Sequence, residues 1–69
     1  MAIYGFTKRL QEAIWQSGLS NRELARRAHI SRGLLYAYLN GQSTPTGENL
    51  MRLCEVLRVS SDWLLGLKK

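Results

Sequence analysis

The chain has 69 residues, 45% of them hydrophobic and 22% charged, and its ten Lys and Arg against five acids give a net charge of +5. That length leaves room for one domain with one core, and the apolar share is that of a folded domain, which excludes a disordered tail or a second module within these residues. A single cysteine, Cys54, with no Cys or His neighbour at ligand spacing, excludes an internal disulfide and a structural metal site, so stability must come from packing.

The N-terminus lacks the charged-then-apolar order of a signal peptide, and the longest uncharged stretch, "GLLYAYLNGQSTPTG", is too polar to cross a bilayer. The expectation is a cytoplasmic protein with no membrane partner. Phe6, Leu10, Ala13, Ile14 and Ser17 recur at three- and four-residue steps and Gly18 follows as a stop, which predicts a first helix over 4–17. Ser20 caps the second helix and Glu23, three residues on, completes a capping box; Leu24, Ala25 and Ala28 face inward until the chain turns at His29. Ser31 caps the third helix, whose inward stripe is Leu35, Tyr38 and Leu39, and Asn40-Gly41 ends it. Beyond the polar loop "GQSTPT", Thr46 caps a fourth helix with Leu50, Leu53, Cys54 and Leu57 inward. A last short helix follows Ser60, anchored by Trp63 and Leu64. No alternating strand pattern competes, and no repeat or linker divides the five helices, so the reading is all-α and one domain over 1–69.

Charge is unevenly spread. Lys8, Arg9, Arg22, Arg26, Arg27 and Arg32 are opposed only by Glu12 and Glu23 in residues 1–40, which makes that stretch +4 and the remainder +1. A basic face of this kind marks either polyanion binding or an ordinary solvated helix surface. The second and third helices are joined by only three or four residues, so they must cross steeply, and the outer face of the third then stands out as a ridge that fits a DNA major groove. Apolar Leu24, Ala28, Ile30, Leu35 and Tyr38, with small Ala25 at the closest approach, have the internal spacing of a helix-turn-helix.

The stretch "LSNRELARRAHISRGLLYAYLNG", followed by "ENLMRLCEVLRVSSDWLLG", resembles the Cro/repressor-type, phage repressor-like helix-turn-helix domain family over roughly residues 6 to 66. The resemblance implies a compact five-helix lambda-repressor-like DNA-binding domain with its motif at 20–41. It further implies sequence-specific binding of double-stranded DNA as a transcriptional regulator of bacterial or prophage type, a nucleoid-associated repressor. Such a regulator reads a palindromic operator as a homodimer, with the third helix in the major groove. By the same resemblance Ser61, Asp62 and Trp63 lie near the homodimer interface, whereas the plain reading of Trp63 is a core anchor. The chain departs from the family pattern in three respects. His29 stands where Gly or Asn is usual in the turn, a role histidine tolerates at positive φ. Asn21 replaces a phosphate-gripping Gln, and Ile14 with Leu39 replace an Arg–Glu pair by two hydrophobes that can pack without loss.

Helix geometry puts Ser31, Arg32, Gly33, Tyr36 and Ala37 on the outer, N-terminal face of the third helix as base-reading candidates. The planar fork of Arg32 suits guanine O6 and N7. Gly33 either lets backbone approach the groove or is a harmless first-turn glycine. Tyr36 donates its hydroxyl to DNA or lies flat on the surface, and Leu34 either touches a thymine methyl or, the reading favoured, is partly core. Asn21, Arg22, Arg26, Gln42, Ser43 and Thr44 are the phosphate-binding candidates, with Lys8, Arg9 and Arg27 solvated or peripheral. Trp15 falls off the stripe of Leu10 and Ile14, so it is half-buried under "MAIYGF" or part of a partner surface. One histidine, no paired carboxylates in apolar surroundings, no glycine-rich phosphate loop and an only Asp at a helix cap give no catalytic constellation, no cofactor and no small-molecule substrate. The rival reading is a helix-turn-helix that binds a protein, as an antitoxin or anti-repressor does.

Overall fold

The computed structural model describes residues 5–67, and these form α1 (Phe6–Ser17), α2 (Asn21–Arg27), α3 (Arg32–Leu39), α4 (Gly47–Leu57) and α5 (Ser61–Leu64), with no strand among them. Four of the starts are set by hydroxyl caps. Ser20, Ser31, Thr46 and Ser60 accept the backbone N–H of Glu23, Leu34, Asn49 and Trp63 at 3.0–3.2 Å. Each bond satisfies a first-turn donor that has no partner inside the helix, a contribution of about 1 kcal/mol per cap. The expected capping box at α2 is only half made, because the Glu23 carboxylate turns to Arg26 and Arg27 instead of back to Ser20. The lone Asp is likewise not a cap: Asp62 lies in the first turn of α5, behind Ser60. α1 begins at Phe6, after Gly5 in the left-handed region; position 4 of the expected helix lies outside the described residues.

The helix ends are equally local. His29 takes φ 58°, and its N–H donates to the Arg26 carbonyl at 3.3 Å while the Ile30 N–H donates to that of Ala25 at 3.0 Å. This pair of bonds closes α2 and turns the chain within four residues, bearing out a turn role for His29. Arg58 does the same after α4, at φ 58°, where glycine is the usual occupant.

The core draws on every helix: Phe6, Leu10 and Ala13; Leu24, Ala25 and Ala28; Leu35 and Tyr38; Leu53 and Leu57; and Leu64. Leu39, Leu50, Cys54 and Trp63 are half-buried against it, and Ser17, expected on the stripe of α1, is exposed. Burial pushes the Cys54 thiol pKa up, as expected of a small packing residue that stays protonated. Ile14 and Leu39 both pack at the core's edge.

α1 packs on α3, α4 and α5, and α2 on α3 and α4, so α3 is held from two sides. Phe6 meets Tyr38 edge-on, with centroids 6.3 Å apart and planes at 78°. Thr7 Oγ1 donates to the Tyr38 carbonyl at 3.3 Å, which also accepts the Gly41 N–H, and Gln11 Nε2 donates to that of Leu39 at 3.5 Å, so side chains of α1 reach two last-turn carbonyls of α3. Arg9, expected at the solvated periphery, is instead an internal brace: its Nη1 donates to the Trp63 carbonyl at 2.9 Å and its guanidinium lies 5.2 Å from the centroid of the Trp63 ring. The chain reversal that returns α5 to α1 brings the two residues together, and the cation gains both an acceptor and a ring face. No helix among the described residues is long and apolar enough to cross a membrane.

Candidate nucleic-acid interface

Because Leu35 and Tyr38 are fixed inward, helical periodicity leaves the start and outer face of α3 free. Ser31, Arg32, Gly33 and Tyr36 are exposed there, and Ala37 is half-buried. Of the Tyr36 residue surface, 48% remains accessible, enough for a ring that lies on the surface with its hydroxyl free. Leu34 is half-buried against the core, the reading the sequence favoured. The first turn of α3 contains no acid, so the positive end of the helix dipole is not neutralised from within.

Gly33 has an ordinary helical φ, and a Cβ built there would meet nothing nearer than Ser31 Oγ at 4.0 Å. The fold therefore makes no demand for glycine at this position. A glycine that weakens a helix without relieving any internal crowding is consistent with close approach by something outside the chain.

The cations around this face differ in what holds them. Arg22 and Arg32 are exposed, with no ion pair among the described residues. Arg26 and Arg27 are exposed too, but both are drawn to Glu23: Arg26 through Nε and Nη2, at 3.1 and 2.5 Å, and Arg27 through Nε at 2.8 Å. Their hydrogen bonds, that of Arg26 foremost, hold the Glu23 carboxyl down at about 2 from an ordinary 4.5. The signal for this cluster was present as i, i+3 and i, i+4 spacing. Asn21 and Ser43 are half-buried, and Gln42 and Thr44 are exposed in the loop after α3. The Gln42 N–H donates back to the Ala37 carbonyl at 2.9 Å, which ties that loop to the end of α3. The expected phosphate-binding set therefore divides into one open cation, Arg22, one arginine already engaged, Arg26, and short polar groups, Asn21 at the start of α2 and Gln42, Ser43 and Thr44 in the loop after α3.

Two other placements correct or narrow the sequence reading. Trp15 is 86% exposed on α1, so it is not half-buried. Trp63 is half-buried beneath Arg9, between the two roles expected of it, while Ser61 and Asp62 are exposed. Sequence reading missed Arg52 and Asn49 of α4. Arg52 Nε donates to the Ala28 carbonyl at 2.9 Å, and Asn49 Nδ2 to Tyr38 Oη at 3.0 Å. Among the described residues no group of His, Cys, Asp and Glu is arranged to hold a metal ion.

A helix-turn-helix family model matches residues 10–64. Among curated proteins the chain is 34% identical over 59 residues to the HTH-type transcriptional regulator ImmR of Bacillus subtilis (strain 168), a match that covers 86% of this chain and 46% of the relative. The chain thus spans about half the length of the curated relative it matches. Among solved structures it superposes on the DNA-binding domain of the P22 C2 repressor with a TM-score of 0.84 and 23% identity, over 94% of this chain and 86% of that one. At that identity the likeness is one of fold, and the fold is the five-helix arrangement described above.

Proposed function

Because the chain belongs to the helix-turn-helix family, which is not a family of enzymes, we propose that residues 1–69 act as one DNA-binding domain of a repressor-type transcriptional regulator, reading double-stranded DNA with α3 in the major groove. The observation that carries this reading is the outer start of α3, where exposed Arg32 and Tyr36, an acid-free first turn and a glycine not required by the fold lie on one face. Ser31, Arg32, Gly33, Tyr36 and Ala37 read base edges in this proposal. Asn21, Arg22, Gln42, Ser43 and Thr44 grip phosphates, joined by Arg26 when a phosphate competes with Glu23. The work is that of the cytoplasm and the nucleoid.

The operator is an inverted repeat read by two copies, with Ser61, Asp62 and Trp63 at their contact. The Cα extents of 26 × 22 × 20 Å support this. One copy is shorter than the ~34 Å between successive major-groove half-sites, so a palindrome needs two. Footprinting on DNA selected from a random pool is expected to protect two half-sites one helical turn apart. A lone asymmetric site bound at full strength overturns the dimer, and absence of any preferred DNA turns the reading toward a protein partner.

Gly33→Ala separates folding from reading. Alanine removes backbone freedom from the unfolded chain at a position with room for its methyl, so unfolding should cost about 0.4–1 kcal/mol more. The same methyl stands between helix and groove, so affinity for the selected operator should fall. Thermal melting and a binding titration on one preparation check both. A variant that is more stable and binds equally well removes Gly33 from the interface.

A further inference from the structure

We infer that Arg52, on α4, is a positioning residue for α3, holding both sides of the helix-turn-helix at a fixed angle through its guanidinium. Its importance for DNA rests on the reading proposed above. Three groups of the fork are used. Nε donates to the Ala28 carbonyl at 2.9 Å, Nη2 to Asn49 Oδ1 at 2.6 Å and Nη1 to the Glu48 carboxylate at 2.8 Å. Asn49 passes the connection on, its Nδ2 donating to Tyr38 Oη at 3.0 Å. The direction of this relay is forced, because a guanidinium only donates. It must therefore meet the carbonyl oxygen of the Asn49 amide, which aims the NH2 group at Tyr38.

The two ends of the relay define its role. Ala28 is the residue on which α2 closes, and its carbonyl is one that α2 leaves without an internal partner. Tyr38 is the inward aromatic of α3, 1% exposed, and the relay reaches its hydroxyl. One half-buried side chain on α4 thus joins the end of α2 to the last turn of the recognition helix, across the turn at 28–31. Leucine packing gives α3 burial but little directional preference, since dispersion is not directional. A planar fork with three placed acceptors resists rotation and sliding of α3 relative to α2. Base reading by Arg32 needs that angle held, because its two N–H groups must meet two acceptors at once.

The test compares the parent with Arg52→Lys, which keeps the charge but not the fork, and with Tyr38→Phe, which removes only the hydroxyl at the far end. Amide hydrogen exchange at 28–31 and through α3 should quicken about tenfold in both variants, with α1 amides as the unchanged reference. At a temperature where all three are folded, the ratio of affinity for selected operator to affinity for random DNA should fall about five- to tenfold, with the salt dependence of random-DNA binding unchanged. Unchanged exchange in α3 in both variants overturns the inference. Faster exchange with an unchanged affinity ratio also overturns it, reducing Arg52 to a brace without influence on reading. A parent that prefers no DNA sequence defeats the DNA reading alone, and the exchange experiment then still decides whether Arg52 positions α3. Should Arg52→Lys not fold, Tyr38→Phe gives the same two readouts from the other end of the relay.

Discussion

Leu35→Ala is expected to lower the free energy of unfolding by about 2–5 kcal/mol, the transfer cost of the lost methyl and methylene groups plus that of the cavity they leave. Leu35 is 0% exposed on the inward face of α3, where packing against α1 and α2 leaves little freedom for collapse. The loss is severe for so small a chain. At the usual stability per residue a domain of 69 residues has roughly 3–10 kcal/mol in all, so a substantial unfolded fraction is expected at 37 °C. Urea unfolding checks it: the midpoint should fall while the slope stays that of the parent. DNA affinity should decline only in proportion to the folded fraction and return on cooling. A midpoint equivalent to less than about 1 kcal/mol of loss contradicts the central place given to Leu35.

Arg32→Ala and Arg22→Ala should leave stability almost untouched and damage binding in two different ways. Both side chains are exposed and neither has an ion-pair partner among the described residues, so truncation breaks no ion pair there. Loss of a bidentate guanine contact at Arg32 should cost about 1–3 kcal/mol at the selected operator and relax preference at one base position, with random-DNA affinity nearly unchanged. Loss of a phosphate contact at Arg22 should weaken all sequences alike and reduce the slope of log affinity against log salt by about one. Titrations of both variants against selected and random DNA at several salt concentrations separate the two. Parental binding by both variants on both DNAs shows that this face does not read DNA, and gives weight to a protein partner.

The contrast between Arg22 and Arg26 lies in their spacing from a single acid. Both are basic and exposed on α2, and both were assigned to phosphate. Only Arg26 lies one helical turn from Glu23, and that single acid engages it and Arg27 together. A phosphate has to displace the carboxylate from Arg26 but not from Arg22. Exposed pairs are weak enough for this to happen, so Arg26 remains a candidate with a competitor.

What the sequence by itself determined was whatever depends on neighbours a few residues apart. The starts at Ser20, Ser31, Thr46 and Ser60, the stop at Gly18 and the turn at His29 rest on one side chain or one backbone angle each, and all appear where the spacing put them. The inward Leu24, Leu35, Tyr38, Leu53 and Leu64 follow from the helical period, which any core must respect, and the outer face of α3 is what they leave over. Only the tertiary structure decided the distant partners of Arg9 and Arg52. Arg9 meets Trp63 across 54 positions, and Arg52 meets Ala28 across 24. A flexible arginine carries no periodic signature, and its choice between solvent and a distant carbonyl is made by whichever helix the folded core brings within reach.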